Sequence, residues 1–381
     1  MNRSVLSLFA LRPTRIGGTE AFARELSGQL GRHEWTSVLG FLEPPPEHIR
    51  RYLALPNVVL ETAPDIWRFR WEAARTVDRL LRRHHPAILH LHYTGFLSIY
   101  PWLARRHGVK RIVFTDHSSR PEGHVIRRAP WWRRTAVRAV NHPLTRVICI
   151  SDYNRRCLVQ AGLVPEERAV RIYNAVDLSR VAPSPERGRA FRGRHGIPED
   201  RIVVLQVSWI IPEKGIVDLL HAARLVLNDH PQAHFVFAGE GPFRDEYMRS
   251  ARDFGIEDHV TWTGSVADPL AEGLYTAADI VCQVSRWEEG FGWTIAEAMA
   301  HGKPVVGTRA GAIPEVMGET GTALLVNRGD SRALAAALIR LIRSPDLRER
   351  LGAAGRARVE AEFDLRRYVR EVLDVYGFPS L

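Results

Sequence analysis

The chain has 381 residues, too many for one ordinary hydrophobic core and about right for two domains. With 45% hydrophobic and 25% charged residues it is globular in composition, which excludes disorder; no apolar run approaches the ~20 residues of a membrane-spanning helix. The formal net charge of +10 favours anionic partners, whether nucleotide phosphates, acidic membrane surfaces or nucleic acid, without choosing among them.

In chain order, Val5–Ala10 reads as the first strand. It is apolar behind Arg3, as a weak signal peptide would be, but no small-residue cleavage site follows. Arg12, Arg15, Gly17 and Gly18 follow instead and suit a strand entering a phosphate-binding turn. Further strands are expected at Ser37–Phe41, Ile88–Leu91, Arg111–Thr115 and Val147–Ile150, with helical patterns over Gly18–Leu30, Trp71–Arg83 and Tyr153–Ala161. A second series follows, with strands at Ile202–Val207, Phe235–Ala238, Val260–Thr263, Ile280–Gln283, Pro304–Val306 and Ala323–Val326. Helical patterns again separate them, at Val217–Leu227, Arg244–Phe254, Trp293–Ala300 and Arg332–Arg343. Strand–helix alternation at this spacing predicts an α/β protein with two doubly wound, Rossmann-like domains.

The stretch from Asp177 to Gly196, with Pro183, Pro185, Gly188 and Gly193, reads as a linker followed by a surface helix. The expected divisions are 1–183, 184–362 and a C-terminal helix, 363–381, packing back on the first domain. Cys149, Cys157 and Cys282 have no metal-ligand spacing, and so sparse and odd a set points to a reducing, cytoplasmic compartment. In open parallel sheets ligands bind beyond the carboxyl ends of the strands, so the cleft between two facing domains is the expected site.

Glu289 falls in the loop after the strand Ile280–Gln283, and Glu297 about one turn inside the next helix. Gly290 and Gly292 bracket Phe291 and let a ligand approach the backbone. Amides at a helix start can meet an anion or a sugar hydroxyl, and two carboxylates there suit a polyol. The alternative is a loop charge and a solvated helix charge.

The stretch Glu289 through Val306 resembles the EX7E region of retaining glycosyltransferases of family 4, which have the GT-B fold. Other landmarks follow in the family's order. Gly17-Gly18-Thr19-Glu20 resembles its glycine loop, Thr115-Asp116-His117 its strand-end histidine, and Ile150-Ser151 and Asn174-Ala175-Val176-Asp177 its segments before the linker. Pro212-Glu213-Lys214-Gly215, Gly239-Glu240-Gly241-Pro242, Gly264-Ser265-Val266 and Ala277-Ala278-Asp279-Ile280 resemble four more. The resemblance implies that Glu289 binds donor-sugar hydroxyls beside the amides of Gly290, Phe291 and Gly292. It implies that Glu297 binds the ribose, that Val266 meets the base through its backbone, and that Gly17 and Gly18 approach the diphosphate. His117 would contact the donor sugar near the reaction centre. No essential metal or other cofactor is implied.

Lys214 opens a helix, where the dipole makes a cation unfavourable unless an anion is present; a diphosphate would resolve the conflict. The alternative is a solvated lysine. The family has an arginine just upstream of this turn, whereas here Trp209 stands in its place, and an indole cannot pair with phosphate. Arg286 and Arg309, in loops after strands, are the candidates to compensate. Asp116 either orients His117 or caps the next segment.

The run Arg127 to Arg138 is basic and carries Trp131 and Trp132. It reads either as a helix with its tryptophans in the core or as a surface for anionic lipid or an acidic acceptor. Nucleic acid is not expected, for lack of zinc spacing, an aromatic RNA-binding motif or a helix-turn-helix signal. The main expectation is therefore transfer of a sugar from a nucleoside diphosphate donor to a hydroxyl acceptor with retention. The competing ones are a sugar-nucleotide binder with little turnover, which Trp209 would permit, and a basic peripheral-membrane or nucleic-acid binder. Localisation is expected to be cytoplasmic, with contact at the inner membrane face left open.

Overall fold

The computed structural model describes residues 3–67, 70–318 and 321–378; the outermost residues of the expected ranges 1–183 and 363–381 lie outside these. By contacts the chain divides into two units. The first is Met1–Ser118, Val125–Asn174 and Leu365–Leu381; the second is Ser119–His124 and Ala175–Asp364.

The first unit is built on β1 (Ser4–Phe9), β2 (Thr36–Phe41), β3 (Val58–Thr62), β4 (Ile88–His92), β5 (Arg111–Asp116), β6 (Arg146–Cys149) and β7 (Ala169–Arg171). They form one seven-stranded sheet in the order β3-β2-β1-β4-β5-β6-β7, paired in parallel. The order reverses between β1 and β4, and loops leaving those two strands diverge to form a crevice. All residues of β1 and β4 are buried, so β1 reads as a largely apolar run, while β4 carries His90 and His92 between its leucines. The helix Leu365–Tyr376 belongs to this unit. Tyr368 meets Phe22 at a ring distance of 4.7 Å, Arg111 Nη1 donates to Val375 O at 2.8 Å, and the Tyr376 hydroxyl bonds His90 Nδ1 at 2.6 Å.

The second unit is built on β8 (Ile202–Val207), β9 (Ala233–Ala238), β10 (Val260–Gly264), β11 (Ile280–Gln283), β12 (Val305–Thr308) and β13 (Leu324–Val326). Its sheet has the order β10-β9-β8-β11-β12-β13, again parallel, and reverses between β8 and β11. Helices Ile216–Asp229 and Ser331–Arg343 press on one core with Phe235, Phe237 and Ile280. The second of them starts where the Asp330 carboxylate accepts from Ala333 N at 2.8 Å, and it ends on Arg340 and Arg343, where cations suit the dipole.

Three features differ from the sequence expectation. The strands β3 and β7 were not foreseen. Both are sheet edges, β3 largely exposed or half-buried and β7 only three residues long, so neither carries a buried apolar run. The division falls at Asn174/Ala175 rather than at 183/184, because Val176 N bonds Phe363 O at 2.9 Å and Arg180 is held by Asp268. Residues Ser119–His124 also join the second unit, where Arg120 and Glu288 form an antiparallel bridge.

Candidate functional site

In the second unit the reversal of strand order sets the loop after β8 beside the loop after β11. The first carries Lys214 and the second Glu289, and Lys214 Nζ donates to Glu289 Oε1 at 2.6 Å. Gly215 makes that approach possible, and Gly311, after β12, lets a third loop close on Glu289. Gly215 has φ 67°, and a Cβ there would lie 2.0 Å from Val284 O; Gly311 has φ 58°, and a Cβ there would lie 2.3 Å from Glu289 O. Gln206 Nε2 fixes the lysine's own carbonyl at 2.8 Å, and Ala312 N donates to Glu289 O at 2.8 Å.

Glu289 is buried and fully engaged. Besides Lys214 it accepts from the Ser285 hydroxyl through Oε1 and from Ser119 Oγ at 3.3 Å through Oε2. A buried carboxylate needs such compensation. The neighbouring Glu288 is also buried but supports the loop, accepting from Gly311 N at 2.6 Å and from Arg328. Sequence reasoning did not find Ser285, although it lies four residues before Glu289 in the loop already singled out. Ser119 is remote in sequence and gave no signal.

Gly292, at φ 99°, starts the helix Trp293–Ala300 with no side-chain cap, and Gly290 and the buried Phe291 precede it. Glu297 does not join Lys214 and Glu289. It sits in the second turn, where the Tyr275 hydroxyl donates to its Oε2 and the helix carries His301 one turn on. Val266 is buried in the loop after β10. Trp209 is 64% exposed, on a turn whose backbone is pinned by Gly241, where a Cβ would meet Ile210 O at 2.3 Å. Arg286 does not replace the missing arginine: it forms a two-point pair with Asp218, at 2.8 and 2.6 Å. Arg309 is exposed after β12.

In the first unit the loops after β1 and β4 meet through Thr19 Oγ1 and the Tyr93 hydroxyl, 2.8 Å apart. Gly17 precedes the helix that begins at Gly18, and its N–H donates to Glu20 Oε2 at 3.0 Å. Burial pushes the Glu20 carboxyl up, against the opposing pull of that hydrogen bond. His117, just past β5, stacks on Tyr93 with ring centres 4.0 Å apart, and its Nε2 bonds His92 Nδ1 at 3.2 Å. His90 continues the row, 3.8 Å from the His92 ring and bonded through Nε2 to Thr115 Oγ1 at 2.7 Å. Desolvation among these rings brings His117 down to about 3 and lowers His90 and His92 strongly as well, so all three imidazoles are neutral at physiological pH. Asp116 caps the next turn, accepting from Ser118 N at 3.0 Å. The alternation His90-Leu91-His92, which sets two imidazoles on one face of β4, was the available signal for this row. Among the described residues no group of three or more His, Cys, Asp or Glu is placed to hold a metal ion.

Comparison with known proteins fits both units. Residues 189–358 match the family described as glycosyl transferases group 1, and residues 16–180 match glycosyltransferase family 4. A phosphatidyl-myo-inositol mannosyltransferase of Mycobacterium leprae is 30% identical over 297 residues, covering 76% of this chain and 72% of the relative. The chain is a family 4 glycosyltransferase. It is also 28% identical, over 90% of both chains, to a GDP-mannose-dependent α-(1-6)-phosphatidylinositol monomannoside mannosyltransferase of Mycolicibacterium smegmatis. The crystal structure of Anabaena Alr3699/HepE in complex with UDP and glucose aligns with a TM-score of 0.79 at 21% identity, covering 98% of this chain and 99% of that one. At that identity the likeness establishes the GT-B fold. The glycosyltransferase is thus a retaining-family enzyme that moves a sugar from a nucleotide-sugar donor to an acceptor.

Two outcomes follow from the geometry. Replacing Lys214 by Met leaves the buried Glu289 carboxylate without its cation, and breaking such a pair costs about 3–5 kcal/mol. The urea midpoint should fall, and adding Glu289→Gln should recover part of the loss; equal midpoints for Lys214→Met and wild type would contradict the pairing. For His117, the unfolded imidazole binds a proton near pH 6.5 while the folded one does so only near 3. Stability is therefore complete above pH 6.5 and declines as pH falls from there toward 3. His117→Asn should flatten that decline by up to one proton's worth of slope in a pH series of chemical denaturation.

Proposed function

We propose that Lys214 and Glu289 form the donor end of the glycosyltransferase site, the lysine facing the diphosphate and the glutamate the donor-sugar hydroxyls. The observation that carries this reading is their 2.6 Å ion pair across the strand-order reversal, on loops held by Gly215 and Gly311. Gly290, Phe291 and Gly292 would offer amides to the sugar, Glu297 would hold the ribose, and Val266 would meet the base through its backbone. Gly17 and Gly18 would approach the phosphates at the start of their helix. Because His117 is neutral, its part is a hydrogen bond to the donor sugar rather than a positive charge. With Trp209 where the family has arginine, Lys214 carries the cationic role. No essential metal is part of this reading.

In the transfer step the bond from the anomeric carbon to the β-phosphate oxygen breaks, and its electron pair leaves with the nucleoside diphosphate. The acceptor hydroxyl oxygen bonds the same face of that carbon, and its proton passes to the departing phosphate oxygen. Lys214 steadies the charge that develops there. Neither glutamate need become a nucleophile, unlike the paired carboxylates of glycosidases. GDP-mannose is the first donor to test, since a relative matched over 90% of its length is named for it. The wild-type enzyme should be stabilised by one nucleotide sugar over others with a different base, read as a thermal shift. Glu289→Ala should cut transfer by at least ~100-fold, the usual scale for losing a preorganised transition-state contact; unchanged transfer would overturn the assignment.

We further propose peripheral contact with an anionic membrane, at the cytoplasmic face. The helix Trp131–Val140 buries only Val137, and Trp131 and Trp132 are 71% and 60% exposed, so the tryptophans do not pack in the core. Arg127, Arg128 and Arg133 are exposed around them. Indole rings with arginines at a surface suit the headgroup region of a bilayer. No helix among the described residues is long and apolar enough to cross a membrane. Binding to phosphatidylglycerol vesicles should fall several-fold in a Trp131→Ser/Trp132→Ser double variant and with added salt; salt-independent binding equal in both proteins would refute the contact.

A further inference from the structure

Directly after the tryptophan helix, the first unit contains a cavity of about 130 Å³. Its walls are largely apolar, with Phe96, Leu144, Leu163 and Val164. One lining residue is out of keeping with them. Asn141 is 7% exposed, and neither Nδ2 nor Oδ1 of its amide has a hydrogen-bond partner among the described residues. Its backbone cannot swing it away, because Asn141 N bonds Val137 O and Leu144 N bonds Asn141 O, both at 3.0 Å. A buried primary amide left unpaired on both atoms costs stability, and such a group calls for an explanation.

A ligand that supplies both an apolar group and a carbonyl would fill the apolar space and give Asn141 Nδ2 the acceptor it lacks. The size agrees, since an apolar cavity of about 150 Å³ admits benzene; this one takes a few methylenes, not a whole chain. The rim is cationic. Arg138 Nε donates to Gly162 O at 3.0 Å, and Arg168 Nη1 to His142 O at 3.2 Å; each guanidinium has five donors, and these bonds fix its position at the mouth. The rim is also continuous with the exposed aromatics. His142 stacks on Trp102, which is 47% exposed, and Asn141 ends the helix that bears Trp131 and Trp132.

We propose that this cavity is a binding site for the acyl-ester segment of an anionic phospholipid. The first methylenes enter among Phe96, Leu163 and Val164, Asn141 Nδ2 donates to the ester carbonyl, and the phosphate lies against Arg138 and Arg168. The proposal rests on the membrane-contact reading for its supply of lipid, but it is tested without a membrane.

The test uses the full-length protein and soluble, monomeric dihexanoyl-phosphatidylglycerol, with dihexanoyl-phosphatidylcholine and inorganic phosphate as comparators, read by thermal shift and calorimetry. The anionic lipid should bind saturably and several-fold more tightly than the zwitterionic one, and phosphate at the same concentration should give no shift. Asn141→Leu should be at least as stable as wild type when free, since it removes two unpaired polar atoms, yet lose the lipid-induced shift. If that variant fails to fold, Arg138→Gln at an exposed position should bring phosphatidylglycerol binding down to the phosphatidylcholine level. An equal shift in Asn141→Leu, a phosphate shift matching the lipid's, or no wild-type shift overturns the proposal. Lost vesicle binding alongside intact monomer binding would instead sink the membrane contact alone.

Discussion

The constraint on which the second unit's site depends is the reversal of strand order at β8 and β11. A parallel sheet sends each connection over one face or the other, and only where the direction of winding changes do two adjacent strands send their connections to opposite faces, leaving their loop starts side by side. Lys214 and Glu289, 75 residues apart in the chain, leave those two strands and meet as an ion pair. The backbone had to allow the approach. At Gly215 any side chain would run into the Val284 carbonyl of the opposite loop, at 2.0 Å, and at Gly311, after β12, into the Glu289 carbonyl, at 2.3 Å; both residues take a left-handed φ as well. Ordinary parallel winding fixes where the loops are, Gly215 fixes how close the two come, and Gly311 lets the loop after β12 close on Glu289 from its other side.

That closeness has an electrostatic consequence. Glu289 is buried, and Lys214, Ser285 and Ser119 all donate to it, so the lysine is already half of a compensated pair before any substrate arrives. On the proposed donor reading, a diphosphate near Lys214 would compete with that carboxylate for the same ammonium. The ammonium has three donors, so it can be shared rather than surrendered. Lys214 also resolves its own unfavourable position ahead of the helix Ile216–Asp229 through this glutamate. The sequence expectation paired the lysine with a diphosphate; within the chain its ammonium is paired with Glu289.

How much of this could be read beforehand depends on what carries each signal. The central strands were legible because both faces are covered, so burial writes itself as a mostly apolar run; the edge strands β3 and β7, half-covered or three residues long, write no such run. The site residues on the glycine turns were legible as types, through the spacing from Glu289 to Glu297 and the turn ending in Gly215. Their pairing was not, since sequence separation says nothing about which loops a strand order brings together. Glu297 illustrates the limit: eight residues from Glu289 along the chain, it is engaged instead by Tyr275. The Asp177–Gly196 stretch looked like a linker by composition, but one backbone pairing at Val176 and one ion pair at Arg180 tie its start to the second unit.

Charge distribution sharpens the meaning of Trp209. Arg286 is taken up by Asp218 and Arg328 by Glu288, so these guanidinium groups of the loop after β11 and its support are already paired with carboxylates. The first unit's histidine row adds no positive charge, because desolvation keeps His90, His92 and His117 neutral. An exposed indole on the rigid turn after β8 therefore does not simply swap one phosphate ligand for another. It substitutes a flat apolar face, able to lie against the carbon–hydrogen side of a sugar or base, for a point of charge. On the proposed donor reading, affinity for the diphosphate would fall on Lys214 and on helix-start amides, while the ring would reward shape. Selectivity among donors would then be decided more by what packs on Trp209 than by how strongly phosphate is held.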